Sequence, residues 1–302
     1  LASSRVNIAV FFWLLGVTQT AAAQDVLAVK SKDMVLFDKA LSGFRKNFTG
    51  ELKVISLGKE ASSPEELVEK VQEAKPALVI TLGAPAAKAL QGKVKDVPII
   101  FLLAPYPKEI KADNMVGINM DPTPAEQLRQ FVRAIPAVKK VAVIFDEKRS
   151  GALIAEALSA SGAVGVKLLT YPVSQKKEVP EALEKAFAEA DALWLIRDPM
   201  VLTKELFNRA LVFQLNQKKP IMVQTPSFVK AQAVCSFSSS YESQGKKAAE
   251  VAKKILSGST PAELGLQYPD GQLSINVGSA QKAGITLSPA VLSDPAVLKV
   301  GK

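Results

Sequence analysis

Read only for the placement of apolar and polar positions, the chain alternates short runs that are apolar throughout with longer stretches of helical spacing. VLAVK (26–30), LKVISL (52–57), PALVITLG (76–83), VPIIFLLA (97–104) and NMVGINM (114–120) form a first set of runs. The stretch SSPEELVEKVQEAK between two of them carries its own start signals. Ser63 suits an N-cap, Pro64 the first helical position, and Glu65 and Glu66 the positive end of the helix dipole. Leu67, Val68, Val71 and Ala74 then fall on one helical face. A second set repeats the scheme with KKVAVIFD (139–146), VKLLTYPV (166–173), ALWLIRD (192–198) and PIMVQT (220–225), again separated by helix-like stretches. Strands that are apolar throughout are buried on both faces, and helices between them force parallel pairing. The pattern therefore predicts an α/β fold of two doubly wound, parallel-sheet lobes.

After Val234 come one short run, CSFSSS, a helix-like stretch ESQGKKAAEVAKKILSG, and a strand-like QLSINV (272–277). This tail is too small for a third domain and must pack back onto the first two, so the lobes are joined by a hinge of several crossings. The expected division is 24–119 with 240–275 for the first lobe, and 120–239 with 276–302 for the second. Residues 1–23 read differently. Arg5 precedes the 12-residue apolar run Val6–Val17, and Ala21 and Ala23 make a small-residue exit. That is the pattern of a cleavable signal peptide, which predicts secretion. No cysteine lies near the cut, so no lipid anchor is expected.

Composition narrows the chemistry. The net charge is +9, but lysines are scattered and no long run of like charge occurs, which describes a solvated surface and not a nucleic-acid face. With no histidine and one cysteine, Cys235, the usual zinc sets, an intrachain disulfide and His-dependent triads are excluded. No cofactor or metal is expected, and without histidine or a recognisable nucleophile–base pair the chain does not read as an enzyme; a monomer is expected.

In open parallel sheets the ligand crevice lies outside the carboxyl ends of the strands. Small, proline-bearing and polar groups recur there: Ser31 and Asp33, Gly83 and Ala84, and Pro105 and Tyr106 in the first lobe. The second lobe offers Asp146, Arg197 and Asp198, and Thr225 and Ser227, with Ser238 near a crossover. Arg197 is either a surface residue paired to a carboxylate or a planar fork for a ligand oxyanion. On the second reading, Arg197→Ala is expected to weaken binding of an anionic solute and leave the fold intact. Asp198 either caps a helix, with Pro199 at the first helical position, or faces the ligand. Tyr106 stacks on a ligand or covers the hinge, and Ser238 donates hydrogen bonds or makes a polar turn.

The segments PALVITLGAPAAKAL, VPIIFLLAPYP, VKKVAVIFD, DALWLIRDPMV and KKPIMVQTPSFVKAQAVCSFSSSYESQGKKAAEVAKKILSGSTPAE, in this order and spacing, carry a resemblance. The chain resembles the ABC-transporter substrate-binding proteins that include tryptophan- and tyrosine-binding members, which have a type I periplasmic-binding-protein fold. The resemblance implies export to the periplasm, closure of two lobes on a small solute and delivery to an inner-membrane ABC permease. An alternative is a component that presents its ligand to a sensor receptor. Relatives often have a Thr-Asp pair at Pro105-Tyr106 and a Phe-Asp-Tyr-like run near Phe237 to Tyr241. Acids that would hold an ammonium group are thus missing at two matching places, and Asp33, Asp146 or Asp198 would have to replace them. A repressor on the same core would need an amino-terminal DNA-reading module, where this chain has its apolar leader.

Overall fold

The computed structural model describes residues 25–105 and 107–301; the leader expected over 1–23 and Tyr106 lie outside the described residues. Five strands form the first sheet: β1 (Val26–Lys30), β2 (Leu52–Ser56), β3 (Leu78–Leu82), β4 (Ile99–Leu102) and β5 (Met115–Gly117). Their order is β2-β1-β3-β4-β5 and every pairing is parallel. The apolar runs account for this, because residues such as Val79 and Ile80 are both buried, on opposite faces of the sheet.

The second sheet contains β6 (Lys140–Asp146), β7 (Lys167–Val173), β8 (Ala192–Leu195), β9 (Ile221–Val223) and β10 (Cys235–Ser238). It is extended by β11 (Gln272–Asn276) and β12 (Leu298–Val300), in the order β12-β11-β10-β9-β8-β6-β7. Without β11 and β12 this is the order of the first sheet. Each lobe therefore has one switch point, β1/β3 or β6/β8, where a crevice opens at the strand ends. The fold is thus two α/β lobes with mostly parallel sheets.

Helices α1 (Val35–Asn47), α2 (Pro64–Ala74) and α3 (Ala84–Leu90) flank the first sheet. The second has α4 (Pro124–Ala134), α5 (Glu147–Val164), α6 (Val179–Glu189), α7 (Lys204–Gln217) and α8 (Pro226–Lys230). Several begin as their sequences dictate: Ser63 accepts from the Glu66 N–H at 3.1 Å, and Thr123 from Glu126 at 3.2 Å. Among the described residues no helix is long and apolar enough to cross a membrane.

The chain passes between the lobes three times, over 118–123, 239–240 and 265–271. After the second passage α9 (Tyr241–Leu256) packs on α1 in the first lobe. The third passage ends earlier than the sequence suggests. Residues 272–275, expected with the first lobe, belong to β11 and pair antiparallel with β10. Burial drives this, since Leu273 and Ile275 enter the core of the second lobe beside Cys235 and Phe237. The crossings are stitched together by hydrogen bonds. Asn119 N–H donates to Gln267 O and Gln267 N–H to Gly117 O, both at 2.8 Å. The Met120 carbonyl accepts from Ser239 Oγ at 2.9 Å and from Gln244 Nε2 at 3.2 Å.

Candidate functional site

A cavity of about 560 Å³ opens where the loop after β4, the first and third crossings and the amino-terminal half of α5 meet. The first lobe supplies Ala104, Pro105, Pro107, Lys108 and Glu109. The crossings supply Asn119, Met120, Asp121, Pro122 and Tyr268. From the second lobe come the inner face of α5, with Ser150, Ala152, Leu153 and Glu156, and the ends of β8 and β9, with Ile196, Arg197 and Gln224. The wall is mostly apolar with a few polar groups, as in small-molecule sites generally.

Arg197 is the centre of the polar part. Its Nε donates to Asp121 Oδ2 at 2.8 Å and its Nη2 to Asp121 Oδ1 at 3.1 Å, a bidentate pair. Nη2 also donates to Gln224 O at 2.6 Å, and Gln224 Oε1 accepts from the Arg197 backbone N–H at 2.6 Å. Gln224 Nε2 donates to Gln127 Oε1 at 3.1 Å, and the same oxygen takes the Trp194 indole N–H at 3.3 Å. The guanidinium is thus held by a buried polar network that leaves Nη1 without a partner among the described residues. Burial pushes the Asp121 carboxyl above the ordinary aspartate range, while Arg197 pulls it back down.

Asp198, the next residue, serves another purpose. It is wholly buried, and its Oδ2 accepts from the Asp146 N–H and from Ser150 Oγ, both at 2.7 Å. Its Oδ1 accepts from Met200 N–H at 2.9 Å. Asp198 therefore locks the turn after β8 onto the start of α5 and does not line the cavity. Asp146 likewise caps α5, accepting from Lys148 N–H at 3.0 Å.

Of the residues singled out in the sequence, the structure brings Pro105 and Arg197 to this cavity, and Tyr106 lies outside the described residues. Ser31, Gly83, Ala84, Asp33, Thr225, Ser227 and Ser238 do not line it. Local contacts account for most of them. Ser31 Oγ accepts from Ala86 N–H at 2.9 Å, so the first-lobe switch point is closed by the chain's own hydroxyl at the start of α3. Asp33 is exposed and paired with Lys30. Thr225 and Ser227 belong to the start of α8, and the Ser238 hydroxyl is buried in the second sheet with no partner among the described residues. Among the residues that sequence reasoning missed is Asp121, the partner of Arg197. It sits in the link MDPTP, where prolines and a capping threonine signal only a helix start.

Residues 52–299 match the family described as ABC transporter substrate binding protein. The chain belongs to this family. A tyrosine-binding protein of Clostridioides difficile (strain R20291) is 22% identical over 242 residues, which cover 76% of this chain and 69% of that relative. Among solved structures, a ligand-free, open substrate-binding protein with adhesive properties from Clostridium difficile aligns with a TM-score of 0.69 at 17% identity. The alignment covers 92% of this chain and 99% of that one. An ABC domain from Streptococcus pneumonia in complex with L-Trp aligns with a TM-score of 0.57 at 18% identity, over 90% and 99% of the two chains. These likenesses establish the type I periplasmic-binding-protein fold. As a member of this family, the chain is a substrate-binding protein. Among the described residues no group of three or more metal-ligating acids, cysteines or histidines occurs.

Proposed function

We propose that this substrate-binding protein is exported to the periplasm, closes its lobes on an amino acid, carboxylate or related solute, and delivers it to an ABC importer. The observation that carries the reading is the Arg197–Asp121 pair on the wall of a cavity bounded by both lobes and the hinge. Nη1 of Arg197 is available to a ligand carboxylate. Each Asp121 oxygen accepts one hydrogen bond from Arg197 and has capacity for another, which suits an ammonium group. The pair thus takes over the role of the acids missing at Pro105-Tyr106 and near Phe237. The tyrosine-binding relative supports an amino acid among the solutes. Closure follows because a ligand touching both lobes binds the shut form best, and this difference in affinity shifts the population.

A thermal-shift and calorimetric screen of amino acids and of aromatic and aliphatic carboxylates tests the cleft. A solute at about a thousand times its dissociation constant should add about 4 kcal/mol of stability. Ala152 is exposed and lines the cavity, so Ala152→Trp fills the cleft and leaves the Arg197 and Asp198 hydrogen bonds in place. The expected result is a hit that disappears in this variant with the melting temperature of the free protein unchanged. A hit that survives the tryptophan would place the solute elsewhere.

A further inference from the structure

The cavity carries a second polar station, which recognition of a head group at Arg197 leaves unused. Glu156 lies on the third turn of α5, six residues beyond Ser150 and hence about 9 Å further along the helix. Ser150 is tied to Asp198, next to Arg197, so this rise separates Glu156 from the head-group end. Ala152 and Leu153 line the wall between the two stations. The Tyr268 hydroxyl lies 2.9 Å from both Glu156 oxygens, and Lys108 Nζ lies 3.6 Å from one of them. A carboxylate offers about four acceptor positions, whereas Tyr268 brings one proton and Lys108 stands beyond hydrogen-bond reach. Acceptor capacity is therefore in surplus on this part of the wall. Burial, with the Glu156 carboxylate beside it, raises the Tyr268 phenol well above its ordinary range and keeps it a donor. A cavity of about 560 Å³ has room for a solute body that reaches from one station to the other.

We propose that Glu156, positioned by Tyr268, forms a distal subsite that reads a hydrogen-bond donor, a hydroxyl or amino group, at the far end of an apolar-bodied solute. This rests on the reading of the cleft as the solute site. A polar site built to pair with such a group discriminates against an analogue that lacks it, because the acceptor is then left unpaired. A rival role for Glu156 is a plain tie between the lobes through Lys108, which would affect all solutes alike.

The test is calorimetry on the full chain with two matched pairs, 3-(4-hydroxyphenyl)propionate against 3-phenylpropionate and tyrosine against phenylalanine. The hydroxylated member should bind about tenfold tighter or better in the wild type. Glu156→Ala should bring that ratio close to one, mainly by weakening the hydroxylated member, while Glu156→Gln, which keeps an acceptor, retains part of it. Equal affinities within each wild-type pair would overturn the subsite, and this comparison needs no variant to fold. A ratio that survives Glu156→Ala, or equal weakening of both members, would overturn it as well. Binding of none of the four probes would refute the subsite and its ligand class together, and the Ala152→Trp screen would then decide separately whether the cleft reading stands.

Discussion

Arg197 and Asp198 are adjacent, yet each ties the end of β8 to a different neighbour. Arg197 reaches the first crossing through Asp121, and Asp198 reaches α5 through Asp146 and Ser150. The expectation that Arg197→Ala leaves the fold intact therefore needs revision. The Asp121 side chain is 11% exposed, and removing its partner strands a carboxylate with little access to water. Breaking a wholly buried pair costs about 3–5 kcal/mol; with a third of Arg197 in solvent, about 2–3 kcal/mol is expected here. A urea midpoint equal to wild type would show that the pair contributes nothing to the fold. Acidity gives a second handle on the same carboxyl. Because burial raises it, native Asp121 keeps its proton at pH values where the unfolded chain has lost it. Its stabilising contribution is fully present below the unfolded value near 3.8 and is lost as pH rises through the native value. The melting temperature of wild type relative to Asp121→Asn should therefore climb as pH falls through the native value of Asp121 toward about 4. A constant difference would mean that Arg197 holds the carboxyl ionised throughout.

At the scale of elements, α1 and α9 cross with their backbones in contact, and two glycines make this possible. A Cβ on Gly245 would stand 1.8 Å from the Ala40 carbonyl oxygen, and one on Gly43 would stand 2.1 Å from that of Glu242. Both obstacles are backbone, so neither can rotate aside. Gly245→Ala should cost about 3 kcal/mol or more by prying α9 off the first lobe. An unchanged denaturation midpoint would mean that the helices slide apart freely. This pairing was not readable in the chain, because a glycine in a helical stretch does not announce which helix it meets. The strands β1 to β11 were readable as short runs. Most are apolar on both faces, which marks a run without knowledge of its partner, whereas β2, β10 and β11 carry polar residues and stood out by their place in the alternation of runs and helical stretches. β12 was not, because Leu298–Val300 is a three-residue edge strand with a lysine at its centre. In the same way, Arg197 stood out by its place at a strand end. Glu156 and Tyr268 did not, one lying three turns into a helix and the other in a crossing just before β11. A search confined to strand ends reaches neither.

At the scale of the molecule, the three crossings act as one hinge because Met120, Ser239, Gln244, Gly117, Asn119 and Gln267 exchange hydrogen bonds across them. Asp121 follows Met120 directly, so the carboxylate paired with Arg197 on the cavity wall adjoins the peptide that binds the second crossing. Ser239 does not line the cavity, yet its hydroxyl holds the Met120 carbonyl at 2.9 Å. Ser239→Ala removes this bond and the one that the hydroxyl accepts from Gln244 Nε2 at 3.2 Å. The bond to Met120, worth about 1 kcal/mol, is the one that joins two crossings, and its loss admits lobe arrangements that the stitched hinge excludes. A smaller closure-competent fraction raises the apparent dissociation constant in inverse proportion. If the whole loss falls on closure, the solute identified in the screen should bind about fivefold more weakly. X-ray scattering should then show a larger radius of gyration for the free variant, with wild-type compaction at saturating ligand. Weaker binding with identical scattering in both states would instead place Ser239 in contact with the solute, and unchanged affinity would show that the remaining crossing bonds hold the hinge alone.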